Sequence, residues 1–195
     1  RITKEKSSYI YEKIDKPLIE VLSLMEESGI KINQNYLKKL SLEFQEESQL
    51  IEKKIFNITK KEFNIGSPKQ LGEVLFINLG IKGGKKTKTG TFSTDSSILE
   101  NLVHHGHSIA KLVLEWRELT KLRSTYTDAL LGQVRQKNNR VHTSYSTATT
   151  LTGRLSSTNP NLQNIPIRTK KGKQIRNAFV AENNYKLVSF DYSQI

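Results

Sequence analysis

Residues 185–195, Tyr-Lys-Leu-Val-Ser-Phe-Asp-Tyr-Ser-Gln-Ile, place a carboxylate directly after an apolar run. The run from Tyr185 to Phe190 predicts a buried strand, and Asp191 follows it. A carboxylate at the end of a core strand is where an enzyme can hold a metal ion against a phosphate. An isolated aspartate after a strand is more often a helix cap or a turn residue. The rest of the chain must therefore decide between these interpretations.

The composition predicts one large globular domain or two small ones. The chain has 195 residues, of which 35% are hydrophobic and 26% are charged. It has no run of eighteen or more apolar residues, so no membrane span is predicted. The absence of cysteine excludes a disulfide framework and a cysteine-ligated zinc site. The chain begins at Arg1 rather than at methionine, which indicates a processed or trimmed terminus.

The positive charge of the chain is concentrated in its later part. The net charge is +12, yet residues 1–59 carry ten basic and ten acidic side chains, whereas residues 139–195 carry eight basic and two acidic ones. Such localisation favours a polyanionic partner, because each neutralised phosphate releases condensed counterions. A lysine-rich surface without a specific partner is the alternative interpretation of the same charge.

Hydrophobic periodicity predicts helices first and strands afterwards. A short amphipathic helix is predicted over 15–28, with Pro17 in its first turn and Gly29 as its stop. The other predicted helices are one that Asn33 caps and that extends to about Ile58, two short ones near 69–78 and 94–103, a long one over 108–134 and a short one over 174–181. A flexible basic loop is predicted over 82–90. Residues 140–149 are rich in Thr, Ser, Val and Tyr and predict a strand. The fold class is therefore α+β.

A polar stretch with a specific order of residues lies between the predicted strands. It is Thr152-Gly153-Arg154-Leu155-Ser156-Ser157, followed by Pro160-Asn161-Leu162-Gln163-Asn164-Ile165-Pro166. The guanidinium of Arg154 is a planar fork of donors that can enter the minor groove of a duplex. There, purine N3 and pyrimidine O2 accept hydrogen bonds in every correct base pair, so a donor tests pairing without reading sequence. By composition alone, a polar loop of this kind is usually only a turn.

As an ordered string, this stretch and Val188-Ser189-Phe190-Asp191-Tyr192-Ser193-Gln194-Ile195 closely resemble the DNA polymerases of family A, of the bacterial DNA polymerase I type. Residues 63–71, 93–95 and 116–126 resemble the thumb of the same enzymes. The resemblance implies a lead-in helix over 1–29, a thumb over 30–135 made of two long antiparallel helices with a small helical tip, and the first strands of an incomplete palm sheet over 136–195.

The resemblance also implies roles for particular residues. Asp191 matches the family's catalytic aspartate, which binds two Mg²⁺ ions, and the backbone carbonyl of Tyr192 matches a further metal ligand. The residues that match positions in contact with DNA are Arg154, Asn161, Gln163, Asn164, Arg168, Arg117, Lys121, Ser67, Lys69, Ser93 and Thr94. His104, His105 and His107 are interpreted as a polar loop rather than as a metal site, since no carboxylate or thiolate lies near them in sequence.

The function implied is template-dependent DNA synthesis in replication and repair, in the bacterial cytoplasm. The expected partners are a primer–template duplex and, in the complete enzyme only, a deoxynucleoside triphosphate. Without the second catalytic aspartate of the family, Asp191 alone does not suffice to hold the two Mg²⁺ ions, so the 195-residue chain alone is predicted to be inactive and to bind none. A stand-alone nucleic-acid-binding module without catalysis is the alternative. An unpaired apolar strand at 186–190 also predicts self-association through the incomplete palm.

Overall fold

The structure is a computed structural model that describes residues 7–88 and 90–193. Helices and short strands occupy these residues in the order α1 Ser8–Ile10, α2 Lys16–Ser28, β1 Ile30–Lys31, α3 Gln34–Thr59, α4 Pro68–Gly72, α5 Ser96–His104, α6 Ser108–Lys121, α7 Ala129–Gln133, β2 Arg140–Val141, β3 Ser144–Ser146, β4 Ser156–Thr158 and α8 Lys170–Arg176. Wider π-helical turns fill Tyr11–Asp15, Glu73–Asn78 and Leu122–Asp128. The predicted α+β class is confirmed.

The described residues divide into two compact units. Unit 1 comprises residues 7–40 and 125–193, and unit 2 comprises residues 41–124. The division of the chain at residues 29 and 135 into lead-in, thumb and palm stays a prediction, as does the antiparallel pairing of the two long helices.

Unit 2 is helical, and its core is built from the apolar stripes that the sequence predicts. Helix α5 packs along α6. The buried side chains of this unit include Phe44, Ile51, Ile55, Ile65, Leu71, Val74, Leu75, Leu99, Leu102, Ile109, Val113 and Leu119. At the start of α4, the Ser67 hydroxyl accepts a hydrogen bond from the Gln70 amide, as expected of a cap.

Unit 1 contains two small antiparallel sheets. In the first, β1 pairs with β2, so that Ile30 lies opposite Val141 and Lys31 opposite Arg140. Residues 178–180 lie along the other edge of β1, with Ile32 bridged to Phe179. In the second sheet, β3 pairs with β4, and Tyr145 lies opposite Ser157.

The predicted ends of the early helices are confirmed. The side-chain oxygen of Asn33 accepts a hydrogen bond from the Tyr36 amide, and α3 starts at the next residue, Gln34. Helix α2 has Pro17 in its first turn and ends at Gly29. The apolar side of this amphipathic helix does not enter the core, however. Helix α2 has no buried residue, and its apolar side chains Val21 and Met25 are about half exposed.

Three sequence predictions of local structure are corrected. The strand predicted over 140–149 is two short strands, β2 and β3, and the helix predicted over 174–181 lies earlier, at Lys170–Arg176. The buried strand predicted at 185–190 is wrong, since these residues form no strand and Phe190 is 92% exposed. The reason is physical: an apolar run becomes a strand only where neighbours satisfy its backbone, and no other described segment pairs with this one.

A carboxylate bridges two cations on neighbouring strands of unit 1. Lys31 and Arg140 lie directly opposite each other, where like charges repel. Glu182 accepts hydrogen bonds from Lys31 at 2.6 Å and from Arg140 at 3.0 Å. These hydrogen bonds, that of Lys31 first, hold the pKa of Glu182 below its ordinary value of 4.5. The attraction of the Glu182 carboxylate to Lys31 and to Arg140 therefore offsets the repulsion between these two cations.

We expect Glu182→Gln to lower stability near neutral pH and to have no effect in acid. Because the folded pKa is depressed, the ionised glutamate stabilises the fold above its ordinary pKa, and this contribution is lost as the pH falls through the folded value. Urea unfolding of both proteins between about pH 7 and about pH 3 measures this difference. Glu100→Gln, on an exposed position of α5, is the charge-matched control. A difference that persists unchanged in acid would contradict the assignment.

Candidate nucleic-acid interface

A loop of unit 1, residues 159–164, follows β4 and is held by internal hydrogen bonds. Two buried hydroxyls, those of Thr143 and Ser157, lie 2.6 Å apart. The carbonyl of Pro160, which follows a cis peptide bond, lies within hydrogen-bonding distance of both hydroxyls, 2.7 Å from that of Thr143 and 3.1 Å from that of Ser157. The Ser157 hydroxyl also accepts from the Leu162 amide at 3.0 Å. The base of the loop is thus fixed to the sheet.

The predicted site residues of this loop use part of their hydrogen-bonding capacity within it. Asn161 accepts a hydrogen bond from the Gln163 amide through its side-chain oxygen, at 3.0 Å. Gln163 donates from its side-chain nitrogen to the Leu155 carbonyl at 2.9 Å. The carbonyl of Asn164 accepts from the Tyr126 hydroxyl at 2.7 Å. The backbone of the loop is therefore ordered before any ligand arrives.

The side chains of Arg154, Asn161, Gln163 and Asn164 are all exposed. With its oxygen bound inside the loop, Asn161 retains its two amide N–H donors for a ligand. The guanidinium of Arg154 offers donors only. The exposed hydrogen-bonding capacity of these two residues therefore suits a surface of acceptors.

Arg168 lies on a separate exposed segment, just before α8. Thr169 caps this helix, since its hydroxyl accepts a hydrogen bond from the Gly172 amide at 3.1 Å. Lys170, Lys173 and Arg176 are exposed on α8. This segment presents cations, and its place relative to a ligand stays a prediction.

Asp191 and Tyr192 lie near the end of the described chain and are exposed. The predicted motif continues into Gln194 and Ile195, which lie outside the described residues. Among the residues that the structure describes, no three His, Cys, Asp or Glu side chains come together as a metal site. The carboxylate of Asp191 is of the donor type that Mg²⁺ prefers, but one such ligand does not form a metal site.

In unit 2, a hollow of about 480 Å³ brings three of the predicted residues together, Thr94, Arg117 and Lys121. Trp116, Asp95 and Thr120 are also part of its lining. The remaining predicted residues of this unit, Ser67, Lys69 and Ser93, are not part of the lining. The hydroxyl of Ser93 donates to the Asp95 carboxylate at 2.6 Å.

Arg117 is bound within the protein rather than extended into solvent. Its guanidinium donates to the carbonyl oxygen and, at 3.0 Å, to the hydroxyl of Thr94, whose residue is buried. Burial lowers the pKa of the Arg117 guanidinium, and the nearby Asp95 carboxylate opposes this change. Arginine nevertheless keeps its charge at neutral pH. Arg117 therefore links α6 to the turn before α5, whereas Lys121, one helical turn further on, is exposed.

We expect Arg117→Ala to lower the free energy of unfolding by about 2 to 3 kcal/mol, because the buried oxygens of Thr94 lose charged donors. Lys121→Ala, on the same helix, should change it by less than about 0.5 kcal/mol. Urea unfolding of both variants checks the difference. Equal losses would mean that the two hydrogen bonds of Arg117 contribute nothing to stability.

Several residues that shape the interface were not found from the sequence. Thr143, Ser157 and Tyr126 position the loop, and Thr94 was expected to face DNA rather than to hold Arg117. No local pattern marks these residues, since their partners are 14 to 38 positions away.

The sequence matches one protein family over most of its length. The model for DNA polymerase family A matches residues 34–195. The match covers most of the sequence and includes both the polar loop and Asp191. The chain belongs to DNA polymerase family A.

Curated relatives agree with this family. The chain is 50% identical over 186 residues to a DNA polymerase I of Rhizobium leguminosarum, with 95% of the chain and 18% of that protein covered. It is 46% identical over 193 residues to a thermostable DNA polymerase I of Thermus thermophilus, with 98% of the chain and 23% of that protein covered. The chain thus spans about a fifth of the length of these relatives.

A solved structure shows a similar fold. It is the POL domain of Pol1 from M. smegmatis in complex with DNA primer-template and dNTP. The TM-score is 0.87 at 38% identity, and the alignment covers 94% of this chain and 32% of that one.

None of the helices in the described part of our chain combines the length and the apolar character that a membrane crossing requires.

Proposed function

We propose that this chain is the part of a DNA-directed DNA polymerase that holds the primer–template duplex and carries one catalytic carboxylate. The observation that carries the proposal is the ordered loop at residues 159–164, in which Asn161 is exposed and keeps its donors, together with the exposed Arg154 before β4. The relatives are named DNA polymerase I, and the similar solved structure is a complex with primer-template and dNTP. These names support the proposal for our chain.

The chemistry of the loop matches the minor groove. Acceptors occupy similar places there in all correct base pairs, so fixed donors bind any correctly paired sequence and lose contacts at a mispair. Asn161 and Arg154 supply such donors, and Asn164 offers both donors and an acceptor. Because hydrogen bonds within the loop and to Leu155 and Ser157 already order it, little conformational entropy is lost when DNA binds.

Sequence-independent attraction to the phosphates completes the proposed grip. Residues 139–195 carry eight basic side chains against two acidic ones, and Arg168 and α8 contribute five of these cations. In unit 2, Lys69 and Lys121 are the exposed cations proposed to face the duplex backbone. Ser67, Ser93, Thr94 and Arg117 are proposed to shape this surface, since each makes hydrogen bonds within the unit.

For catalysis, we propose that Asp191 and the Tyr192 carbonyl contribute metal ligands in the complete enzyme. When bound, Mg²⁺ stabilises the charge that develops on the oxygens of a phosphoryl transfer. Since the described residues supply a single carboxylate at this place, the 195-residue chain alone is expected to bind duplex DNA without extending a primer. A stand-alone nucleic-acid-binding module without catalysis is the second candidate. The proposed location of either is the bacterial cytoplasm.

We expect binding of the 195-residue chain to a primer–template duplex to weaken steeply with salt. If about four phosphates are neutralised, affinity should fall about a hundredfold between about 50 and 200 mM salt, because released counterions dominate binding. Fluorescence anisotropy with a labelled duplex measures this slope. Lys121→Ala should make the slope shallower by about one phosphate, and Lys13→Ala, an exposed cation of unit 1 that is not part of the proposed grip, serves as the control. A flat salt dependence would refute a phosphate-driven grip.

A further inference from the structure

The two buried hydroxyls beneath the loop have partners on both sides of Asn161. Ser157 is 1% exposed and Thr143 is 5% exposed. The Pro160 carbonyl, before Asn161, and the Leu162 amide, after it, are both bound to this pair. Whatever fixes these two backbone groups also fixes the residue between them.

Counting donors fixes the direction of one hydrogen bond of the network and leaves two arrangements for the hydroxyl protons. A hydroxyl has one proton to donate and lone pairs that accept. The Leu162 amide can only donate, so the Ser157 oxygen accepts from it. Either hydroxyl can donate across the 2.6 Å between them. If Ser157 donates, the Thr143 proton is left for the Pro160 carbonyl at 2.7 Å, the nearer of two carbonyls, since that of Thr158 is at 3.0 Å. If Thr143 donates, the Ser157 proton is left for the Pro160 carbonyl at 3.1 Å. A continuous chain of hydrogen bonds therefore runs from Leu162 to Pro160 around Asn161.

This chain is anchored in the second sheet of unit 1. Ser157 is the middle residue of β4 and lies opposite Tyr145, and Thr143 directly precedes β3. The loop therefore takes its orientation from paired strands rather than from its own exposed residues. Asn161 and Gln163 are in turn linked by the bond from the Gln163 amide to the Asn161 side chain.

We propose that Thr143 and Ser157 are positioning residues that hold the donors of Asn161 against the minor groove at the primer end, and thereby set how well a mispaired end is rejected. This inference rests on the proposed function. Neither hydroxyl touches DNA in this account, because both are buried and fully used inside the protein. Their contribution is the direction in which the exposed amide points.

The network predicts an order among substitutions. Ser157→Ala removes the hydroxyl that accepts from the Leu162 amide, so the loop must rearrange to satisfy this amide. Thr143→Val removes one link, but the Ser157 hydroxyl, 3.1 Å from the Pro160 carbonyl, can turn to donate to it. Thr143→Ser keeps the whole chain of bonds. The expected effect therefore decreases from Ser157→Ala to Thr143→Val, and Thr143→Ser resembles the wild type.

The test uses two readouts and one matched control. Hydrogen exchange of the Leu162 amide in the 195-residue chain reports the network itself. In the complete polymerase that carries this sequence, the ratio of extension rates from paired and mispaired primer ends reports positioning. A loss of stability alone lowers both rates and leaves their ratio unchanged. Ser144→Ala, which removes an exposed hydroxyl from β3 next to Thr143, is the control.

We expect Ser157→Ala to speed exchange of the Leu162 amide about tenfold or more and to lower the extension ratio by about fivefold, the equivalent of one hydrogen bond. Thr143→Val should show smaller changes in both, and Thr143→Ser and Ser144→Ala none. If Ser157→Ala does not fold, the test is the comparison of Thr143→Val, which loses the hydroxyl, with Thr143→Ser, which keeps it. Equal extension ratios for these two variants would overturn the inference.

Two other results separate the inference from the function on which it rests. Faster exchange with an unchanged extension ratio would overturn the positioning role and leave the hydroxyls as stabilising groups only. A wild-type complete protein that extends no primer would refute the proposed function and the inference with it, whereas normal protection of the Leu162 amide would still confirm the hydrogen-bond network.

Discussion

Gly29→Ala is expected to lower the free energy of unfolding by about 3 kcal/mol or more. Gly29 ends α2 with φ of 58° and ψ of −171°, a combination that is nearly restricted to glycine. A Cβ atom there would lie 2.6 Å from the Val141 carbonyl oxygen and 2.8 Å from the His142 ring. Either the backbone of β2 or the end of α2 would have to move.

The surroundings of Gly29 explain why such a movement is costly. Arg140 donates to the carbonyls of Ser28 and Gly29, each at 3.1 Å. The His142 ring contacts the Glu26 carbonyl at 2.8 Å, and the carboxylate of Glu26 accepts from the Tyr145 amide. The last carbonyls of α2, which have no partner within the helix, thus accept hydrogen bonds from residues of β2 and the segment after it. A shift at Gly29 would loosen several of these bonds together.

Gly132→Ala is the matched control. Gly132 lies in α7, and an added Cβ atom would meet nothing within 4 Å. Alanine should stabilise this helix by about 0.5 to 1 kcal/mol, because it reduces the conformational freedom of the unfolded chain. Urea unfolding of both variants gives the comparison. A Gly29→Ala protein as stable as the wild type would contradict the close approach of α2 and β2.

Features with local causes could be predicted from the sequence. The start of α3 depends on Asn33 and on a backbone amide three residues later, and the end of α2 depends on a glycine. The apolar stripe of α3 repeats at helical spacing, and Phe44, Ile51 and Ile55 are buried as that spacing requires. The order of residues in the polar loop was sufficient to indicate the family.

Features that depend on distant partners could not be predicted. Arg117 was predicted to contact DNA, because nothing in the sequence near Arg117 indicates that its partner is Thr94, 23 residues away. The hydroxyls of Thr143 and Ser157 look like ordinary strand residues until their pairing is known. The apolar run at 185–190 has the composition of a strand but forms none. A strand also needs neighbouring strands to pair with, and the composition of one segment does not show whether these are present.

Asp191→Asn in the complete polymerase that carries this sequence is expected to lower the rate of nucleotide incorporation roughly a thousandfold or more. We propose that this residue is a metal ligand in the complete enzyme, and losing an ionised ligand from a metal-assisted phosphoryl transfer costs several kcal/mol of transition-state stabilisation. Binding of the primer–template duplex should change little, because the proposed grip lies in the polar loop and in the cations of α8 and unit 2. Glu100→Gln, which removes one negative charge from an exposed helix position, should keep full activity.

Single-turnover primer extension with the wild-type complete protein, Asp191→Asn and Glu100→Gln is the most direct test of the account. We predict that the wild type and Glu100→Gln extend the primer at equal rates, and that Asp191→Asn binds the same duplex with nearly equal affinity but incorporates no nucleotide above background. Undiminished incorporation by Asp191→Asn would contradict the assignment of this carboxylate, and with it the proposed function of the chain.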